Sequence, residues 1–529
     1  MAVDLDRMGG GSSWARLTVS LPGRGELALV FPMCPDLERE GGVVHDRLLG
    51  WSLGPPSPCG PLGRRIENVT FDVRRTMRMR GSVVGAWFGM LLVGSCAEEV
   101  TGDDPGIDDA PTIEIEQDDS SGVQSLDTDY GRWRKGRPLP ELTAEQREEI
   151  TRLEAIGYLS GTVAAGPLAG VTTHDEDRTQ AGLNLIVSGH RPQADLMTMD
   201  GRTLHSWTMP YTEAFPEKKV SEQGARVRRN ATEPGTNHHM WRRARLLPGG
   251  ELLAIYEFNG LVRVDKDSSV IWAWDEQAHH DMDVDPRGHV HVLCRGAHLV
   301  PSFNEERPVL EDYLVVLNEK GREVRRISIL ECLENSEFAH HLDPMRERGG
   351  DILHTNTIQI LDGRHAALSP VFAKGNLLIS PRNLNLLAIV DPREKKVVWT
   401  RTGSWHRQHE PVLRDDGKML LFDNGRAWRR RSAVLVIDPL SGEVEWSYQE
   451  NEPDVFFSQF CGSVQPLANG NVLVTESIYG RAFEMTPDKK IVWEYHNPYR
   501  AGKKNELVAT LFDVVRIDRA DVQDWLPAE

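Results

Sequence analysis

"KVVW" at residues 396–399, "EVEW" at 443–446 and "KIVW" at 490–493 end alike, and their tryptophans stand 47 residues apart each time. A fixed period of this size, with no helical pattern between, marks a β-propeller with one blade per repeat. Related endings occur earlier, "TLHSW" at Trp207 and "SVIWAW" around Trp272. Within a unit, one strand leads to a turn such as "LPGG", "DPRG", "RDDG" or "LANG". A second strand follows ("ELLAIY", "MLLFD", "NVLVTE"), then a third ("AVLVIDP", "NLLAIVDP", "RAFEMTP"), and a further turn leads to the Trp strand. Six such units lie near 183–207, 239–274, 280–327, 354–399, 409–446 and 463–495. The expected fold is all-β: a six-bladed propeller of four-stranded antiparallel blades over 180–520, with a seven-bladed ring as the alternative. "ELVATLFDVVRID" (506–518) is expected to close the ring.

The chain has 529 residues and a formal net charge of −18. That balance argues against a nucleic-acid binder, which carries a basic face. Six cysteines (Cys34, Cys59, Cys96, Cys294, Cys332, Cys461) show no CxxC pair and no zinc spacing, so neither a disulfide framework nor a metal-thiolate site is expected. No Gly-rich phosphate loop follows a strand.

Residues 77–96, "MRMRGSVVGAWFGMLLVGSC", have the layout of a secretory signal peptide: two arginines, a short apolar run, then small residues. The ending at Cys96 resembles a bacterial lipobox, in which that cysteine becomes the lipidated first residue. An exported lipoprotein, periplasmic or anchored to the outer membrane through Cys96, is expected. Residues 1–76 then read as an over-extended start or a disordered stretch. Residues 97–140 form an acidic linker too polar to fold alone. Residues 141–162 contain one amphipathic helix, opened by a Thr143/Gln146 capping box and packed through Ile150, Leu153 and Ile156.

The histidines fall in register. His280 lies eight residues before the turn glycine Gly288, His409 lies eight before Gly417, and Gly462 holds that place before Gly470. Equivalent positions of successive blades gather around the ring axis. His354 begins the intervening unit, so three histidines distant in sequence are expected to face one another. A His₃ set admits zinc. Asn356, Arg382 and Gln408 accompany the cluster, however, and an arginine repels a cation and suits an anion. An oxyanion pocket is therefore the expectation, with no metal and no cofactor. His238, His239, His340, His341 and His406 have no assigned role.

"DILHTNT" (351–357), "LLISPRNLN" (377–385) and "QHEPVLRDDGKMLLFDNG" (408–425) resemble the bacterial arylsulfate sulfotransferases. The resemblance spans about 182–518. It implies a six-bladed periplasmic propeller that moves a sulfuryl group from an aryl sulfate to a phenol without a phosphoadenosine donor. It also implies that His409 is the nucleophile and carries a transient sulfohistidine. His280, His354 and Arg382 would bind the sulfuryl oxygens, and Asn356 and Ser463 would help to hold the substrate. The family's disulfide near the nucleophile loop has no cysteine here. Trp405, Phe456, Phe457, Phe460 and Tyr479 are either aryl walls or packing between blades. Competing readings are a non-catalytic propeller lipoprotein that binds anionic glycans or partner proteins, and a metal- or quinone-dependent oxidoreductase.

Overall fold

A computed structural model of the chain describes residues 2–7, 14–21, 25–32, 142–154, 160–217, 240–453 and 455–526. The expected signal peptide and acidic linker lie outside the described residues, as do His238 and His239. The chain divides into two units, 1–101 and 102–529. In the first, strands Ala2–Arg7, Trp14–Leu21 and Gly25–Pro32 pair as an antiparallel meander.

Among the described residues, the second unit holds six sheets of at least four strands, antiparallel except where Gly350–Asp351 runs parallel to Val309–Leu317. Their first strands, numbered here as blades 1 to 6, are Leu511–Ile517, Arg243–Leu246, Ala278–Val284, Thr355–Ile360, His409–Leu413 and Ser463–Pro466. In blade 1 that strand comes from the C-terminal end and pairs with Leu183–Ser188, which closes the ring. A second clasp lies outside the expected propeller boundary: Gly170–His174 pairs with the last strand of blade 6, Ile491–His496.

The repeated tryptophan explains itself in this fold. It sits on the fourth strand of its blade, and in four blades its indole N–H donates to a backbone carbonyl of the next. Trp207 donates to Gly250 (2.9 Å), Trp272 to Glu319 (3.0 Å), Trp446 to Pro487 (2.9 Å) and Trp493 to Met199 (2.8 Å), the last joining blade 6 to blade 1. Arginines take over at the remaining joints: Arg325 of blade 3 donates to the Pro392 carbonyl, and Arg401 of blade 4 to that of Pro439. An indole at this place supplies both apolar area and a hydrogen bond across the joint, worth about 1 kcal/mol net. The 47-residue period is thus a period of joints between blades.

The helix Ala144–Glu154 is capped as expected, with the Thr143 N–H donating to Gln146 Oε1 (2.9 Å) and the Gln146 N–H to Thr143 Oγ1 (3.2 Å). Leu153 and Ile150 pack on Ala297 and Leu310 of blade 3. Among the described residues, no helix is long and apolar enough to cross a membrane.

Candidate active site

Three first strands break their ladder at the same point, between Ala278 and Met282, Thr355 and Ile358, and His409 and Val412. Such bulges bend a strand and re-aim its side chains. Two of the histidines themselves adopt the left-handed region, His280 (φ 55°) and His354 (φ 51°), a conformation that a non-glycine residue holds only where its surroundings impose it. The result gathers the expected residues. The His280 and His354 rings lie 4.9 Å apart, edge to face. His409, His280, His354, Asn356 and Arg382 are all buried.

His409 is the most constrained of them. Its Nδ1 lies 2.7 Å from Asn424 Oδ1 and 3.1 Å from the Arg407 carbonyl. The Asn424 amide nitrogen donates to the carbonyls of Ser458 (2.7 Å) and Cys461 (2.6 Å), so its oxygen must face the ring. Two acceptors at Nδ1 place the proton there. Nε2 therefore carries the lone pair, and it is buried without a hydrogen-bond partner. Burial, then the charges of Arg382 and Arg242, presses the His409 pKa well below the usual imidazole range. The ring is neutral at pH 7.

His354 Nδ1 bonds to Asp351. Burial alone would raise the Asp351 pKa, but His354 and then Arg295 and Arg382 outweigh it and hold the carboxyl at about 2. Burial lowers His354 in turn. Both shifts describe one arrangement, an ionised carboxylate accepting from the Nδ1–H of a neutral ring. The His280 N–H donates to Glu257 Oε2 (2.9 Å), and its ring Nδ1 lies 2.8 Å from that of His279. Burial, then His354 and His279, lowers the His280 pKa strongly. Burial pushes Glu257 up to about 7, against Arg242. Asn356 Nδ2 donates to the Gln408 carbonyl (2.8 Å) and so braces the peptide that carries His409.

Other expected residues lie differently. The Ser463 hydroxyl donates to Asp513 Oδ1 (2.7 Å), which commits its proton one layer away from the histidines. Trp405, Phe456 and Phe460 pack in apolar clusters between blades, and Tyr479 lines a surface cavity with Leu168 and His496. The ring beside the histidines is instead Phe258, 6.1 Å from His280, while Phe512 lies beneath the Arg242 guanidinium at 5.1 Å. His341 bonds to Thr400 Oγ1 (3.2 Å) on blade 4, and the His340 ring lies tilted against it at 4.3 Å. Cys461 is buried, and its carbonyl is one of the two that hold Asn424. Among the described residues, no group of three or more His, Cys, Asp or Glu side chains is arranged to hold a metal ion.

Arg242 is the site residue that the sequence reading passed over. It lies eight residues before Gly250, the same offset that selects His280 and His409, and it is buried beside them. Arg295, buried over the Phe258 ring at 3.2 Å, adds a third guanidinium.

Residues 243–498 match the family model described as Arylsulfotransferase (ASST). That span runs from the first strand of blade 2 through blade 6 and contains His280, His354, Asn356, Arg382, His409 and Ser463. No curated protein matches the chain. Similar solved structures include a protein of unknown function from Bacteroides caccae (13% identity, TM-score 0.39, 63% of this chain and 98% of that one). Others are a streptogramin B lyase (12%, 0.37, 67% and 95%) and the Dos1 propeller (10%, 0.34, 62% and 76%). At these identities and TM-scores, they carry no argument about chemistry.

Proposed function

We propose that this arylsulfotransferase (ASST)-like propeller moves a sulfuryl group from an aryl sulfate ester to a phenol by way of a sulfohistidine on His409 Nε2. One observation carries the reading: Nδ1 of His409 is tied to two acceptors, so a neutral ring presents its lone pair at a buried, unpartnered Nε2. A nucleophile needs that state and no other.

The steps follow from the placement of charge. The Nε2 lone pair attacks sulfur, the S–O bond to the aryl group breaks, and the phenoxide leaves with the electron pair. Charge on the sulfuryl oxygens and the phenoxide is met by Arg382 and Arg242, fixed in place before the reaction begins. The Nδ1–H bond to Asn424 persists, so the sulfated ring stays cationic and remains a good leaving group. A phenol then binds. Its proton passes to His354, whose ring Asp351 stabilises when charged, and its oxygen attacks sulfur. The N–S bond breaks and the pair returns to Nε2. The chain ends unchanged, with one proton released to solvent.

Export with lipid attachment at Cys96 belongs to the same proposal, and mass spectrometry of the mature protein tests it. The reaction itself is tested with p-nitrophenyl sulfate and phenol. Nitrophenol release should depend on His409, and donor alone should add one sulfuryl group to the intact protein mass. Equal release by wild type and His409→Ala would overturn the assignment.

A further inference from the structure

The end of blade 5 that holds His409 also carries "GRAWRRRS", residues 425–432, for which the chemistry above has no use. Strand pairing fixes its place. His409 pairs with Phe422, so the loop that follows Asp423 leaves the blade level with the nucleophile. Asn424, which holds His409, is its first anchor. The Gly425 N–H donates to Asp423 Oδ1 (2.9 Å) and the Ser432 N–H to the Phe456 carbonyl (2.9 Å). The His406 N–H donates to the same Asp423 oxygen (2.8 Å), which joins the loop to "SWHRQHEP".

What this anchored loop presents is unusual. Arg426, Arg429 and Arg430 are exposed, and Trp428 is 74% exposed. Arg429 lies over the Trp428 ring at 4.9 Å and Arg430 over Phe457 at 5.6 Å, so the arginines keep defined positions. Arg407 stands on the facing segment, and burial together with Arg407 and Arg426 presses the His406 pKa to about 4. Among the described residues, carboxylates at this end are fewer: Asp423 takes the backbone bonds above, Glu450 accepts the Tyr448 hydroxyl, and Glu452 is exposed. A chain of net charge −18 repels anions at a distance, and this basic collar concentrates exposed positive charge at the end of blade 5 that holds His409.

We propose that Arg426, Trp428, Arg429 and Arg430, with Arg407, form an outer binding site for an anionic aryl ester. The ring lies on the Trp428 indole and the sulfate on the guanidiniums, and the donor is collected there before it reaches His409. The two halves of the ligand match the two halves of the collar: planar guanidiniums bind sulfate oxygens by charge-assisted hydrogen bonds, and an exposed indole offers a face to a phenyl ring. The proposal rests on the sulfuryl-transfer reading, and its test separates the two.

Wild type, the triple variant Arg426→Gln/Arg429→Gln/Arg430→Gln, and Trp428→Ala are compared with p-nitrophenyl sulfate from low to high salt. Wild-type kcat/KM should fall as salt rises. The triple variant should lose about tenfold in kcat/KM at low salt and show a flatter salt response, with the loss shrinking at saturating donor. Trp428→Ala should raise KM at every salt concentration. Binding of 4-methylumbelliferyl sulfate, followed by fluorescence anisotropy in a His409→Ala background, should weaken with the same collar changes and needs no turnover. A wild type that transfers sulfate with the same kcat/KM and salt response as the triple variant overturns the collar alone. A wild type that binds the umbelliferyl ester through the collar without transferring it overturns the transfer reading and supports the collar. If the triple variant keeps donor kinetics and binding but no longer adsorbs to phosphatidylglycerol vesicles, the loop is a membrane contact and the proposal is wrong.

Discussion

Two layers meet on the propeller axis, one residue apart on the same strands. The first contains Arg242, His280, His409, Gly462 and Phe512. The next contains Arg243, Asp281, Glu410, Ser463 and Asp513. In the second layer, Arg243 bonds to Asp281 (2.9 Å), Asp513 (2.7 Å) and Glu410, Ser463 bonds to Asp513, and the Ile358 N–H donates to Asp281 (2.9 Å). All six blades are tied there, and the charges are consumed by one another. The first layer leaves His409 Nε2 buried and unpartnered. Polar groups on neighbouring positions of the same strands thus separate into a girdle that holds the ring and a layer that leaves a histidine lone pair unused. Buried polar groups are paired as a rule, so a concentration of unpaired atoms around the axis, His409 Nε2 with the Arg242, Arg295 and Arg382 Nε atoms, sets this layer apart from the girdle.

Substitution in each layer should fail in a different way. His409→Gln should cost on the order of 10⁴-fold or more in transfer, the scale on which a lost covalent nucleophile acts. Its melting temperature should remain close to wild type. Arg243→Met leaves three carboxylates without their cation and should cost about 3–5 kcal/mol of stability, read as an early urea transition. If His409→Gln unfolds the chain or Arg243→Met melts like wild type, the division between layers is false.

Within the first layer, Arg242→Gln should reduce kcat/KM by about 10²-fold, as removal of one transition-state donor does. It should also move the acid limb of the pH profile upward, because Arg242 helps to hold His409 down. A purely structural arginine would leave that limb where it is. Asn424→Leu should lower kcat by about 10–100-fold, as loss of a group that orients a histidine does for metal ligands. In ¹⁵N-histidine spectra the Nδ1–H signature of His409 should weaken. Lost activity with the tautomer intact would assign Asn424 to packing.

These residues also mark the limit of what the chain discloses before it is folded. The tryptophan period and the turn glycines revealed six units, the closing strand and the axis-facing His280 and His409, because those features recur at fixed spacing. Arg242 obeys the same eight-residue offset from Gly250 and was legible in principle, but a search for histidines passes over it. Asn424 lies inside the "FDNG" motif, yet its role depends on the Ser458 and Cys461 carbonyls, which are brought by the loop leading into the next blade and leave no trace in composition. Ser463 occupied the expected register, but the layer to which its hydroxyl turns is set by Asp513, fifty residues away. Trp405 and Phe456 were ambiguous between substrate walls and core, since apolar area alone does not distinguish the two.

The smallest effect is the most discriminating between the layers, because their pH slopes have opposite signs. Burial lowers His409 and His280 in the folded chain, so on acidification the unfolded chain takes up their protons first, and stability declines as pH falls below about 6.5. Burial raises Glu410 from 4.5 to about 7, opposed by Arg243, so the folded girdle holds a proton that the unfolded chain has released. That contribution is complete below pH 4.5 and is lost as pH rises through about 7. Glu410→Gln keeps the oxygen that faces Arg243 and cannot titrate. Its melting temperature relative to wild type should rise by a few degrees between pH 5 and pH 8, with the acid-side decline intact. If the difference between the two proteins is flat across that range, the girdle carries no proton at neutral pH, and its carboxylates are held by Arg243 as strongly as the histidines above are held neutral by burial.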